Sequence, residues 1–136
     1  MARQSAQAKL LYYPTSDEVA RLAATWFSNP DKSRLADPCC GKAEALALFA
    51  QTVGGECETW GVELSYTRVQ EARARLNAVL PADFFGVRWA RRSISLCFDN
   101  PPYDFSHFTN AKNKRIRYEE KFVRDMTPRI APGGHH

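Results

Sequence analysis

The sequence predicts one α/β domain, a mostly parallel sheet with helices on both faces. Three observations predict it. Short apolar runs alternate with amphipathic segments in the order helix, then β-α-β-α-β-β-α, and such alternation is built by crossover helices packed on a parallel sheet. The 136 residues, 44% of them hydrophobic, supply one core and no room for a second. Polar, acidic or aromatic groups follow each predicted strand directly, at the carboxyl edge where open parallel sheets bind ligands.

Residues 16–27 (SDEVARLAATWF) read as a helix. Ser16 or Thr15 caps it, and Asp17 and Glu18 suit its positive end. Val19, Leu22, Ala23, Trp26 and Phe27 recur at spacings of three and four, which predicts one apolar face. Asn29, Pro30 and Asp31 end it. Residues 34–38 (RLADP) read as the first strand, and KAEALALFAQTVG as a helix stopped by Gly54 and Gly55. Residues 57–64 (CETWGVEL) read as the second strand, and 65–80 as a helix opened by Ser65 and stopped by Pro81. Residues 82–88 (ADFFGVR) are expected to be the third strand and 93–98 (SISLCF) the fourth. Residues 115–130 are expected to form a further crossover helix ending near Pro128. Residues 1–134 therefore read as the domain, and His135 and His136, after Gly133 and Gly134, as the remnant of a purification tag.

No apolar run approaches the ~20 residues that span a bilayer, and the first residues lack a secretory apolar stretch. A soluble, cytoplasmic protein without membrane contact is expected. Cys39, Cys40, Cys57 and Cys97 show no metal-ligand spacing, so buried reduced thiols and no metal are expected. The net charge of +4 is unevenly placed: residues 106–136 carry 7 basic groups against 3 acidic ones, and the rest is neutral. Lys112, Lys114, Arg115 and Arg117 form a cluster that suits phosphate contacts with DNA or RNA. The same cluster is also what a solvated helix face looks like.

Four strand tips are expected to converge on one crevice. They are Asp37-Pro38-Cys39-Cys40-Gly41, Glu63, Asp83-Phe84 and Asn100-Pro101-Pro102-Tyr103. An acid such as Glu63, at the tip of a second strand, accepts from both hydroxyls of a ribose, or else caps the following helix. The two prolines fix the backbone and remove two donors, so the Asn100 side chain and the Pro101 carbonyl offer acceptors to an NH2 group. Tyr103 offers a flat face for stacking a base. The alternative is a rigid proline turn.

Taken together these segments resemble the class I S-adenosylmethionine-dependent methyltransferases, in the branch that methylates exocyclic amines such as that of adenine. The resemblance runs from YYPTSDEVA through APGG. It implies a Rossmann-like sheet of order 3-2-1-4, ending before the family's later strands, with strand four at an edge where two copies could pair as a homodimer. It implies S-adenosylmethionine as cofactor. Tyr13, Pro14 and Thr15 would contact its methionine end, in the segment LLYYPTSDEVARLA. Asp37, Pro38, Cys39 and Gly41 would form the first motif, LADPCCGKAEAL. Glu63 and Leu64 would hold the ribose, and Asp83 and Phe84 the adenine. Asn100, Pro101, Pro102 and Tyr103 would hold the target amine and a flipped base. Where the family has a second glycine, this chain has Ala43, whose Cβ is expected to press on the cofactor, and Lys42 is placed to meet the cofactor's carboxylate. Two other functions stay open: a fold that binds nucleic acid or a protein partner without turnover, and a methyltransferase for glutamine side chains or small amines.

Overall fold

A computed structural model describes residues 13–28 and 32–135. Helix α1 (Asp17–Ala24) is capped by Ser16, whose hydroxyl accepts from the Val19 N–H. The face it buries is the expected one only in part, with Ala23 and Phe27 half-buried against the core. Val19, Leu22 and Trp26 are exposed, and Ala20 and Ala24 are buried. Small side chains bring α1 close against α2 (Glu44–Val53). The turn expected at 29–31 lies outside the described residues.

Strands β1 (Ser33–Asp37) and β2 (Cys57–Glu63) flank α2 in the chain and pair in parallel. Helix α3 (Tyr66–Arg73) is shorter than the helix expected over 65–80, and the end of that segment is strand β3 (Ala78–Pro81). Asn77 makes the switch. Its Oδ1 accepts from the Thr59 N–H and hydroxyl, and its own N–H donates to Thr59 Oγ1. The next residues are thereby laid along β2, from Ala78 beside Trp60 to Pro81 beside Glu63. An edge strand is where a sheet tolerates proline. The third strand expected at 82–88 is instead a 3-10 turn (Phe84–Gly86), followed by a connection that turns at residues 91–92 into β4 (Ile94–Cys97).

The helix expected over 115–130 begins only at Tyr118. The basic segment before it belongs to an antiparallel hairpin, β5 (Phe105–Thr109) and β6 (Arg115–Arg117). Asn110 closes the hairpin by accepting the Lys112 and Lys114 N–H groups, and Asn113 takes the left-handed φ of 57° that the turn requires. Helix α4 (Tyr118–Met126) then leads to β7 (Ile130–His135), parallel to β4. The sheet order is β3-β2-β1-β4-β7. The expected 3-2-1-4 order is present, but β7 covers β4, so the edge expected to carry a homodimer is already paired. His135 lies in β7 beside Leu96, its ring 5.3 Å from that of Phe27.

Each sheet face carries its own core. Leu46, Phe49, Val69 and Ala72 pack with Leu35 and Leu96 on one side. Phe84, Phe122 and Met126 pack with Ala36, Val62 and Ile94 on the other. Gly61 of β2 sits against the loop after β1, where a Cβ would come within 2.6 Å of Cys40 Sγ and 2.9 Å of Leu76 Cδ1. Gly61→Ala is expected to cost about 1–3 kcal/mol through overpacking, read as a lower urea midpoint. An unchanged midpoint would mean that this junction has slack.

Candidate active site

Each loop at the carboxyl edge is shaped by its own sequence. After β1, Asp37 Oδ1 accepts from the Cys39 N–H at 2.9 Å, turning the chain around Pro38, which is fully buried. The Cys40 N–H donates to the Val62 carbonyl and ties this loop to β2. Gly41 and Ala43 both take left-handed conformations, at φ 56° and 63°, which explains why a glycine suits position 43. The Ala43 side chain packs into the core and does not line the cleft, contrary to the expectation that it presses on a ligand. Lys42 pairs with Glu71 at 3.1 Å rather than reaching into the cleft.

After β2, Glu63 is buried, and its Oε1 accepts from both the Ser65 N–H and Arg68. The carboxylate thus does the capping work at the start of α3 that Ser65 itself does not. After β3, Asp83 Oδ1 accepts from the Phe85 N–H and caps the 3-10 turn. Phe84 is buried and stacks on Phe122 at 4.7 Å. After β4, the Asn100 amide nitrogen donates to the Tyr13 carbonyl at 3.1 Å and to Thr15 Oγ1 at 2.9 Å. Asn100 Oδ1 accepts the Tyr103 hydroxyl. The segment before α1 is therefore stapled to the diproline turn across 85 residues of sequence.

These tips enclose a cavity of about 290 Å³. Tyr13, Pro14, Thr15, Asp37, Pro38, Cys39, Glu63, Leu64, Asp83, Phe84, Asn100 and Pro102 all line it. The turn after β4 and the acidic tip of β2 thus share one cleft. Gly41, Pro101 and Tyr103 do not line it. Gly41 shapes the loop, Pro101 is buried, and Tyr103 is 55% exposed with its ring 6.0 Å from that of Tyr13. Lys112, Lys114, Arg115 and Arg117 stand on the hairpin outside the cavity. Arg115 Nε donates to the Ser106 carbonyl, and Arg117 pairs with Glu119.

Sequence reasoning missed the far wall, which is Phe85, His107, Tyr118 and Phe122. Phe85 stands beside an expected residue, but His107 and Tyr118 arrive through a hairpin that the sequence reading did not contain. Asp99 was also missed, although it directly precedes the diproline turn. Burial pushes the Asp37 carboxyl up to about 8, and the nearby Asp99 adds to the shift against the bond from Cys39. Burial likewise pushes Asp99 up to about 7. Its Oδ2 is buried without a hydrogen-bond partner, and Oδ1 faces Cys39 Sγ at 3.8 Å. Burial holds the Cys39, Cys40 and Cys97 thiols protonated, and all four cysteines are free.

The two acids make stability depend on pH with a defined sign. Both titrate higher in the fold than their ordinary 3.8, so the folded state holds protons that the unfolded chain has lost. Their contribution is fully present below about pH 4 and is lost as pH rises through 7 to 8. The melting temperature is expected to fall between pH 5 and pH 8.5 by about 10 °C or more, and Asp37→Asn to flatten that fall in calorimetry. A variant with the wild-type slope would remove Asp37 from this account.

The chemistry of the cavity suits a nucleoside carrying a cationic arm. It offers carboxylates at Glu63 and Asp83, the buried acid of Asp37, aromatic walls, and a polar clamp at Thr15 and Asn100. Among the described residues no group of three or more His, Cys, Asp or Glu is placed to hold a metal ion, and no helix is long and apolar enough to cross a membrane.

Residues 1–136 match the model of an uncharacterised methyltransferase family (DUF6094). Solved structures of similar fold include a Listeria monocytogenes protein assigned to the class I S-adenosylmethionine-dependent methyltransferases. It is 14% identical, with a TM-score of 0.78 over 92% of this chain and 45% of that one. A Thiobacillus denitrificans S-adenosylmethionine-dependent methyltransferase in complex with S-adenosyl-L-homocysteine is 16% identical, with a TM-score of 0.61 over 94% of this chain and 50% of that one. A Mesorhizobium loti S-adenosylmethionine-dependent methyltransferase is 18% identical, with a TM-score of 0.58 over 88% and 51%. The chain spans about half the length of these structures. No curated protein matches the sequence.

Proposed function

We propose that this chain, which belongs to the uncharacterised methyltransferase family DUF6094, methylates the exocyclic amine of adenine in DNA or RNA, with S-adenosylmethionine as donor. One observation carries the reading: Asn100 and Pro102 line the same cavity as Glu63. When bound, the cofactor would supply an electrophilic methyl carbon. Tyr13, Pro14, Thr15, Asp37, Pro38 and Cys39 would hold its amino-acid arm, Glu63 and Leu64 its ribose, and Asp83 and Phe84 its base.

The chain's own part is alignment. The Asn100 carboxamide is fixed in plane by the two bonds from its nitrogen. Its oxygen has two lone pairs. Tyr103 takes one, and the other is offered to an incoming N–H. The Pro101 carbonyl is the proposed second acceptor. An aromatic amine held by both hydrogens pyramidalises, and its lone pair is no longer spread into the ring. Acceptors aimed at a nitrogen that becomes positive stabilise the transition state, and orientation supplies the rest. The proton leaves after the transfer, so no strong base need act first. A base inside a duplex has to flip out to reach this depth. Lys112, Lys114, Arg115 and Arg117 on the adjacent hairpin suit the flanking phosphates.

A second reading, a nucleic-acid or protein-binding module without turnover, is favoured by the Tyr103 hydroxyl, which already occupies Asn100 Oδ1. Methyl-labelled cofactor incubated with adenine-containing DNA, the matching RNA and a glutamine peptide separates these readings. Label recovered as N6-methyladenine is the expected result. Label on the peptide, or on nothing while cofactor product still binds, would overturn it.

A further inference from the structure

We infer that the β5–β6 hairpin is part of the cofactor site and that its His107 contacts the base of the bound nucleoside. The inference rests on the cofactor reading above and adds a residue that the strand-tip motifs do not contain.

The hairpin is anchored to the body of the domain. Ser106 is fully buried and its hydroxyl donates to the Ile116 carbonyl across the two strands. Phe108 meets the Phe85 ring edge-on at 4.8 Å. Lys121 Nζ lies 4.7 Å from the Phe108 ring and 5.4 Å from that of Phe85, and Asp125 holds it there through two bonds. At the hairpin's foot, the Tyr118 N–H donates to the Asp104 carbonyl. With its neighbours fixed this way, His107 lines the cavity, and its ring rests on Phe108 at 4.0 Å.

The company of His107 identifies what it meets. Through Phe108 its ring is joined to that of Phe85; Asp83, Phe84, Phe85 and Tyr118 line the same cavity, and the Phe85 and Tyr118 rings are nearly parallel at 6.1 Å. A carboxylate beside flat faces suits a purine with an exocyclic amine. The amine-holding turn is occupied differently, with Asn100 tied to Tyr13, Thr15 and Tyr103. An imidazole adds both a π face and a nitrogen able to bond a purine ring nitrogen. The hairpin begins immediately after the diproline turn, so one continuous segment would touch cofactor and acceptor.

The test is calorimetric titration with S-adenosylhomocysteine and with 5′-methylthioadenosine, which lacks the amino-acid arm. His107→Ala is expected to raise both dissociation constants by about tenfold, as for a lost stacking contact. His107→Phe is expected to restore most of the affinity. Because His107 is exposed, the melting temperature of either variant should match the wild type. Hydrogen exchange gives an independent readout: ligand should slow the amides of 106–117 in the wild type and not in His107→Ala. Unchanged affinity in His107→Ala, or no slowing in a ligand-bound wild type, overturns the inference and leaves the cofactor reading standing. A wild type that binds neither ligand overturns both.

Discussion

Asn100→Ala is expected to lower kcat by about a hundredfold or more, the scale of removing one placed hydrogen-bonding group from a transition state, while affinity for S-adenosylhomocysteine falls far less. The two effects separate because the side chain has two ends. Its oxygen is the proposed acceptor for the amine, and its nitrogen holds the segment before α1, through Tyr13 and Thr15. Alanine removes both ends, so a control is needed for the second. Thr15→Ala deletes one arm of the staple and leaves the oxygen in place. That variant is expected to bind the cofactor product about threefold to tenfold more weakly, as for one lost hydrogen bond, with kcat nearly unchanged. Tyr103→Phe frees Asn100 Oδ1 from its present partner and is expected to keep kcat within about twofold, since no proposed contact to the reacting amine is lost. Wild-type turnover in Asn100→Ala would remove this residue from the chemistry. Loss of turnover in Tyr103→Phe would move the chemistry to the phenol.

The strand tips were legible in the sequence because each is written locally. Asp37, Glu63, Asp83 and Asn100 each stand within three residues of a strand end, and the topology of a parallel sheet alone brings such ends together. What was not legible is long-range. Residues 78–80 continue the apolar spacing of Val69, Ala72 and Leu76, so periodicity prolonged α3 through them. Only the bond of Asn77 to Thr59, 18 residues away, ends that pattern. The apolar residues of α1 misled for a related reason. Spacing shows that Val19, Leu22 and Trp26 share a face, but not that the alanines on the neighbouring face are what fits against α2. The hairpin carried a fainter signal in its two turn asparagines, Asn110 and Asn113. The charge of 112–117 fits a solvated helix as well as a hairpin, and only the hairpin brings His107 and Tyr118 to the cavity.

The largest loss of stability is expected at Glu63. Its side chain is 5% exposed and that of Arg68 9%, with 2.8 Å between the charged atoms. Glu63→Ala leaves the guanidinium in the interior without its carboxylate and the Ser65 N–H without its acceptor. Breaking one side of such a pair costs about 3–5 kcal/mol, a fall in melting temperature on the order of 10–15 °C for a chain of this size. Arg68→Met should cost less, because the remaining carboxylate keeps the Ser65 N–H and the methionine fills the space of the lost stem. The ordering of the two variants is therefore a test of which partner is the more deeply committed to the fold. Glu63→Gln separates fold from ligand. Its amide oxygen still accepts from Ser65 and Arg68, so most of the stability should survive. A neutral amide accepts weakly from a ribose hydroxyl, so affinity for S-adenosylhomocysteine should fall about tenfold or more, the difference between a charged and a neutral acceptor. A Glu63→Gln protein that melts and binds like the wild type would make Glu63 a helix-capping residue and nothing more, and would take the proposed ribose contact with it.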